Sequence, residues 1–203
     1  MNNSGLLLVV SGPSGAGKST TLRAAMEKEP NLIFSVSATT RAPRPGEDEQ
    51  SYQFMSREEF VALRDSDQLL EHAEFAGNFY GTPKSPVVNA IAAGKIAVLD
   101  IEAQGALQVR ERMPDSVLVF LCPADISEVE RRLRGRNTET EEKILRRMII
   151  AREQMKYVRH YDYVIHNDDL ELAQKALRSI VTAERHRMSR QESLWPECTG
   201  SSG

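Results

Sequence analysis

Apolar residues along this chain fall into short unbroken runs, separated by stretches in which they recur every three or four positions. Residues 6–10, 96–101, 117–121 and 163–165 are continuous and partly β-branched, the pattern of strands buried on both faces of a parallel sheet; residues 32–36 are a fifth candidate. Between them, helical periodicity covers residues 20–29, residues 86–93 ending at Gly94, residues 126–133, and residues 144–155, with Ile144, Met148, Ala151 and Met155 on one stripe. Alternation of this kind predicts an α/β fold, a mostly parallel sheet with helices on both faces.

Two stretches interrupt the alternation. In residues 37–82, Ser-Ala-Thr-Thr-Arg-Ala-Pro-Arg-Pro-Gly (37–46) is followed by a polar turn at 47–50, then Tyr52-Gln53-Phe54, then Ser56 and Glu59 spaced as a capping box, and then Gly77-Asn78-Phe79-Tyr80-Gly81-Thr82. This predicts a small inserted unit of short strands and one helix. The second stretch, 131–147, is dense in arginine, and Arg132 and Arg136, four apart, are expected on one helix face. Past Ile180 the pattern fades; residues 189–203 are polar, with an isolated Trp195, and are expected to be a disordered tail.

The first apolar run leads into Gly12-Pro13-Ser14-Gly15-Ala16-Gly17-Lys18-Ser19, and Thr20 opens the helical stretch. Glycines here let the backbone turn its N–H groups inward around phosphate oxygens, and the following helix adds the positive end of its dipole. Lys18 supplies a mobile charge for β- and γ-phosphates, and the Ser19 hydroxyl is placed to ligate Mg²⁺. The spacing identifies a P-loop NTPase-type fold.

Composition narrows the partners. With 26 Lys and Arg against 29 Asp and Glu, the net charge of −3 offers no global field for nucleic acid or an acidic membrane, so any anion site is local. Cys122 and Cys198 are too few for a disulfide framework, as expected of a cytoplasmic chain. No run approaches the roughly 18 apolar residues of a membrane span. A length of 203 residues suits one compact domain with insertions, and nothing reads as a linker between independent units. Oligomeric state is not legible at this level.

Taken together, the loop at Gly12, the segment 37–46, Tyr80-Gly81-Thr82, Asp100-Ile101-Glu102-Ala103-Gln104-Gly105, Arg132-Leu133-Arg134-Gly135-Arg136 and Asn167-Asp168-Asp169 resemble guanylate kinase, over about residues 6–185. The resemblance implies phosphorylation of GMP by MgATP in one domain, residues 1–188. It divides this domain into a core (about 5–36, 83–125 and 157–188), a GMP-binding subdomain (about 37–82) and a lid (about 126–156). GMP would then be held by Ser37, Arg41, Arg44, Tyr52, Glu71, Tyr80 and Thr82, with Arg41 and Arg44 suited to a phosphate dianion through their guanidinium forks. Glu71 would discriminate, because guanine presents N1–H and a 2-amino group side by side and a carboxylate accepts both. Asp100 and Ser19 would hold Mg²⁺, and Arg132, Arg136 and Arg147 would be lid arginines acting with Lys18 and Arg44 on the transferred group. Asn167 would meet the adenine, although Asn-Asp-Asp is also an ordinary helix cap. Glu102 departs from the family's commoner aspartate, leaving open whether it meets the guanine, the metal or only its neighbours. Asn137 stands in place of a common glycine, and His72 in place of a common tryptophan. Two rivals remain. A sugar-phosphate kinase of the same fold would not need Ser37, Glu71 and Thr82, and a scaffold domain that has lost catalysis would not need an intact Lys18 and Ser19.

Overall fold

The computed structural model describes residues 5–48, 51–135 and 140–191. The predicted runs form a five-stranded sheet, β1 (Leu6–Ser11), β2 (Leu32–Phe34), β7 (Ile96–Asp100), β8 (Val117–Cys122) and β9 (Tyr163–His166), in the order β2-β7-β1-β8-β9 and parallel throughout. Period-2 side chains with a helix layer on each face explain why β1, β8 and residues 96–99 of β7 are buried at every position. Strand β9, at an edge of the sheet, exposes Val164 and His166 and so is not buried on both faces as expected. Leu6, Leu8 and Val10 of β1 face α1 (Lys18–Lys28) and α7 (Leu170–Arg185), meeting Leu22, Ala25 and Leu177. Leu7 and Val9 face α3 (Lys84–Ala92) and α4 (Ala103–Arg112), meeting Val87, Ala106 and Val109.

The inserted stretch builds a second sheet from β3 (Ala38–Thr39), β4 (Gln53–Phe54), β5 (Leu69–Phe75) and β6 (Asn78–Pro83), in the order β4-β3-β6-β5. Its helix α2 (Arg57–Asp65) carries both bonds of the capping box: the Ser56 hydroxyl accepts from Glu59 N–H, and the Glu59 carboxylate accepts from Ser56 N–H. Phe60 of α2 closes a small core with Ala38 and Leu69. Two further helices, α5 (Ile126–Arg134) and α6 (Glu141–Met155), pack on each other through Val129, Leu133, Ile144, Met148 and Ala151.

Several expectations are corrected. Strand β2 is a three-residue edge strand with Ile33 and Phe34 exposed, because its outer side has no neighbour. Helix α3 begins at Lys84, two residues before Pro86; a first turn tolerates proline because its N–H groups have no intrahelical acceptor. On α6 it is Gln154 rather than Met155 that completes the buried stripe. Helix α5 is described to Arg134; Arg136 and Asn137 lie outside the described residues, and with them the expected shared face of Arg132 and Arg136. Of the tail expected over 189–203, Ser189 and Arg190 belong to a short 3₁₀ turn (Met188–Arg190), and residues 192–203 lie outside the described residues. Helix α7 continues past Ile180 to Arg185, burying Val181 and Glu184, whose carboxylate takes the Tyr163 hydroxyl at 2.6 Å. Among the described residues no helix is long and apolar enough to cross a membrane.

Candidate active site

The loop between β1 and α1 owes its path to close backbone packing. Gly12 has φ +155°, and a Cβ there would lie 1.9 Å from the Leu121 carbonyl oxygen. Neither backbone can yield, so Gly12→Ala is expected to destabilise the fold by about 3 kcal/mol, measured by urea unfolding. Lys18 Nζ donates to the Gly12 carbonyl at 2.9 Å and lies 3.8 Å from the Asp100 carboxylate, which also accepts from the Ser19 hydroxyl at 3.2 Å. Burial pushes the Asp100 carboxyl up, and Lys18 and Ser19 oppose that shift. Ser19 and Thr20 are exposed in the first turn of α1, while Pro13 and Ala16 are buried behind the loop.

Of the arginines expected in a lid, Arg132 and Arg147 are described, and both reach this loop. Arg132 Nη1 donates to the Ala16 carbonyl at 3.4 Å and Nη2 to the Asn167 carbonyl at 2.8 Å, with Glu128 bracing its Nε at 2.7 Å. Arg147 donates to the Ser14 hydroxyl from Nε at 3.1 Å and Nη2 at 2.5 Å. Arg131, Arg134 and Arg146 instead form surface pairs with glutamates, contacts that contribute little to stability. Asn167 is buried, and its amide nitrogen donates to the Ala16 carbonyl at 2.7 Å, so that donor braces the loop; the helix cap nearby is Asp169, accepting from Leu172 N–H. Glu102, at the head of α4, accepts from Gln154 at the end of α6, the neighbour contact among the options left open for it.

The second half of the site lies on the inserted sheet. Glu71 on β5 is 5% exposed and stands opposite Thr82 on β6, whose hydroxyl donates to Glu71 Oε1 at 2.7 Å. It sits within the strand, two residues from its start. Burial pushes its carboxyl up, with the Thr82 hydroxyl and amide opposing. A folded pKa above the unfolded one means that the ionised group costs stability: the penalty is absent below the unfolded pKa, grows as pH rises, and is complete above the folded pKa. Ligand-free Glu71→Gln is therefore expected to melt higher than the parent at pH 8, by about 2–4 °C, with the gap closing as pH falls from the raised folded-state pKa towards the ordinary carboxylate value and gone below it.

Tyr80 pairs in register with Thr39, two residues before Arg41, and lies edge-on to Tyr52 with ring centroids 6.1 Å apart. The Arg41 guanidinium sits 5.5 Å from the Tyr52 ring centroid, with the Tyr80 hydroxyl beside it. Sequence reasoning missed what occupies its fork. Glu47 pairs with Arg41 at 3.0 and 2.9 Å and accepts from Arg44 N–H at 2.8 Å, as a bidentate anion does. The Arg44 side chain is exposed, and Ser37 lies half-buried at the entry to β3.

One connection joins the two halves. Asp100 ends β7 against Lys18 and Ser19, and five residues on, Gly105 packs on the Glu71 carboxylate. Tyr52 also lies within electrostatic reach of both Arg41 and Asp100. The phosphate loop, the Arg41 cluster and Glu71 thus line one region.

The family model described as guanylate kinase matches residues 4–184. The chain belongs to the guanylate kinase family. A guanylate kinase of Desulfitobacterium hafniense is 50% identical over 190 residues, 93% of this chain and 95% of that protein. One from Halalkalibacterium halodurans is 50% identical over 187 residues, 92% of each. Among solved structures, guanylate kinase from Anaplasma phagocytophilum superposes with a TM-score of 0.74 at 32% identity, covering 96% of this chain and 97% of that one. Membership makes the chain a nucleoside monophosphate kinase of α/β fold, and the inserted sheet and the α5–α6 pair fall within the matched span.

Proposed function

We propose that this protein transfers the γ-phosphoryl group of MgATP to GMP, and to dGMP, giving ADP and the nucleoside diphosphate in the cytoplasm. The observation that carries the reading is the connection from Asp100 to Gly105, which touches the phosphate loop at one end and the Glu71 carboxylate at the other. In this reading the β3–β6 sheet is the GMP-binding unit and α5–α6 the lid.

Glu71 accepts the guanine N1–H and 2-amino hydrogens, with Ser37 and Thr82 completing the base contacts. Adenine offers an acceptor where guanine has N1–H and has no 2-amino group, so the buried carboxylate would be left unpaired against it. The GMP phosphate is held by Arg41, Arg44 and the Tyr52 and Tyr80 hydroxyls. Because Glu47 already engages Arg41, phosphate binding exchanges one anion for another or uses the remaining guanidinium donors. ATP phosphates lie in the loop from Gly12 to Thr20, and Asn167 serves that nucleotide chiefly by bracing Ala16.

Ser19 and Asp100 suit Mg²⁺ as hard oxygen donors already within 3.2 Å of each other. Among the described residues no group of three or more acidic, histidine or cysteine side chains could hold a metal, which fits an ion that keeps phosphate oxygens and water as most of its ligands. When bound, Mg²⁺ neutralises charge on the phosphates of ATP. A GMP phosphate oxygen, already an anion, attacks the γ-phosphorus in line; the bond to the bridging oxygen of ADP breaks, and no general base is required. Lys18 follows the charge onto the leaving phosphates. Arg132, Arg136 and Arg147 stabilise the equatorial oxygens when the lid closes, and closure keeps water from the γ-phosphorus.

A coupled ADP-release assay with GMP, dGMP, AMP, UMP and ribose 5-phosphate tests the assignment. Turnover with the two guanine nucleotides alone is expected. Equal rates with AMP or the sugar phosphate would overturn it, and no turnover with any acceptor would favour the scaffold alternative.

A further inference from the structure

Strand β5 is the edge of its sheet, so the outward backbone groups at Leu70 and His72 have no neighbouring strand. Helix α4 supplies what is missing. Gln108 Oε1 accepts from His72 N–H at 3.1 Å while its Nε2 donates to the His72 carbonyl at 3.1 Å, the double exchange that a paired antiparallel residue would make. One turn on, Arg112 Nη1 donates to the Leu70 carbonyl at 3.0 Å. The register of β5 on β6 slips between Leu69 and Glu71, so Leu70 is an extra residue; its side chain enters the main core, whereas Leu69 enters the small one. Such a bulge re-aims the side chain that follows, here Glu71. The re-aimed carboxylate rests on Gly105, where a Cβ would lie 2.7 Å from Oε2. Gly105, Gln108 and Arg112 recur three and four apart and so share one face of α4.

We infer that this face of α4 holds the base-selecting carboxylate in place, and that Gln108 is a positioning residue setting the preference for a purine with a 2-amino group. The inference rests on the role given to Glu71 above. A free edge strand with a bulge is prone to slip its register, and a slip of one residue would turn Glu71 to the other face. Gln108 pins the backbone immediately after Glu71, and Arg112 pins it immediately before.

The readout is the ratio of kcat/KM for GMP to that for IMP, which lacks only the 2-amino group. Gln108→Met keeps the side-chain length and removes both bonds; it is expected to lower the ratio about tenfold. Gly105→Ala, which places a methyl against the carboxylate in a helix that favours alanine, is expected to lower it similarly, and it carries the test if the first variant fails to fold. KM for ATP should stay unchanged in both. In a Glu71→Gln background, neither substitution should move the ratio further. If Glu71→Gln abolishes GMP preference but both α4 variants weaken GMP and IMP equally, the positioning role is overturned and the reading of Glu71 stands. If Glu71→Gln leaves the ratio unchanged, that reading fails and takes this inference with it.

Discussion

Lys18→Ala is expected to lower kcat for GDP formation by about 10³-fold or more while leaving the Kd for GMP within about twofold of the parent. The asymmetry follows from position. Lys18 Nζ lies on the Gly12 carbonyl and beside Asp100, at the end of the site proposed to hold the transferred phosphoryl group, whereas the carboxylate proposed to bind the base, Glu71, sits on another sheet. A point charge on a flexible stem is worth most where negative charge moves, so its removal should appear in kcat far more than in acceptor binding. Single-turnover kinetics paired with GMP calorimetry separates the two effects. Retention of full activity would refute the role given to the loop, and an equal loss of GMP affinity would mean that the two halves of the site do not act separately.

Glu71→Gln is expected to do the reverse. Its KM for GMP should rise about 100-fold, and its preference for GMP over IMP should collapse, with KM for ATP unchanged. Glutamine keeps the volume and an acceptor for the Thr82 hydroxyl, so the sheet should persist. It cannot accept two purine hydrogens together, because one end of its amide is now a donor. The same substitution should stabilise the ligand-free protein, since it removes a buried carboxylate that burial alone penalises. Gained stability with lost selectivity is the signature of a group kept for binding; loss of both would point to a structural role.

Legibility from sequence tracked how local each determinant is. The phosphate loop is eight consecutive residues between a buried strand and a helix, so its course from β1 into α1 was readable. The central strands were readable because both of their faces are buried, which leaves an unbroken apolar run. Strand β5 was not: Leu-Leu-Glu-His-Ala-Glu-Phe carries the bulge at Leu70 and runs from buried residues at its start to exposed ones at its end, so no period survives. Glu71 is therefore legible by resemblance and not by pattern. Gln154 displaced Met155 from the α6 stripe because its amide reaches Glu102 across the fold, a tertiary contact that periodicity ignores. The Glu47 partner of Arg41, the Asn167 brace on Ala16 and the Gln108 clamp are likewise polar contacts whose partners only folding brings together.

The central claim is that one region receives both nucleotides, with Glu71 choosing the acceptor and the loop delivering the phosphoryl group. The most direct measurement follows label from γ-³²P-ATP and Mg²⁺ in the presence of equimolar GMP and AMP. The account predicts label in GDP alone, equal to the ADP released and with negligible inorganic phosphate. Label shared between GDP and ADP, or released as inorganic phosphate, would contradict it.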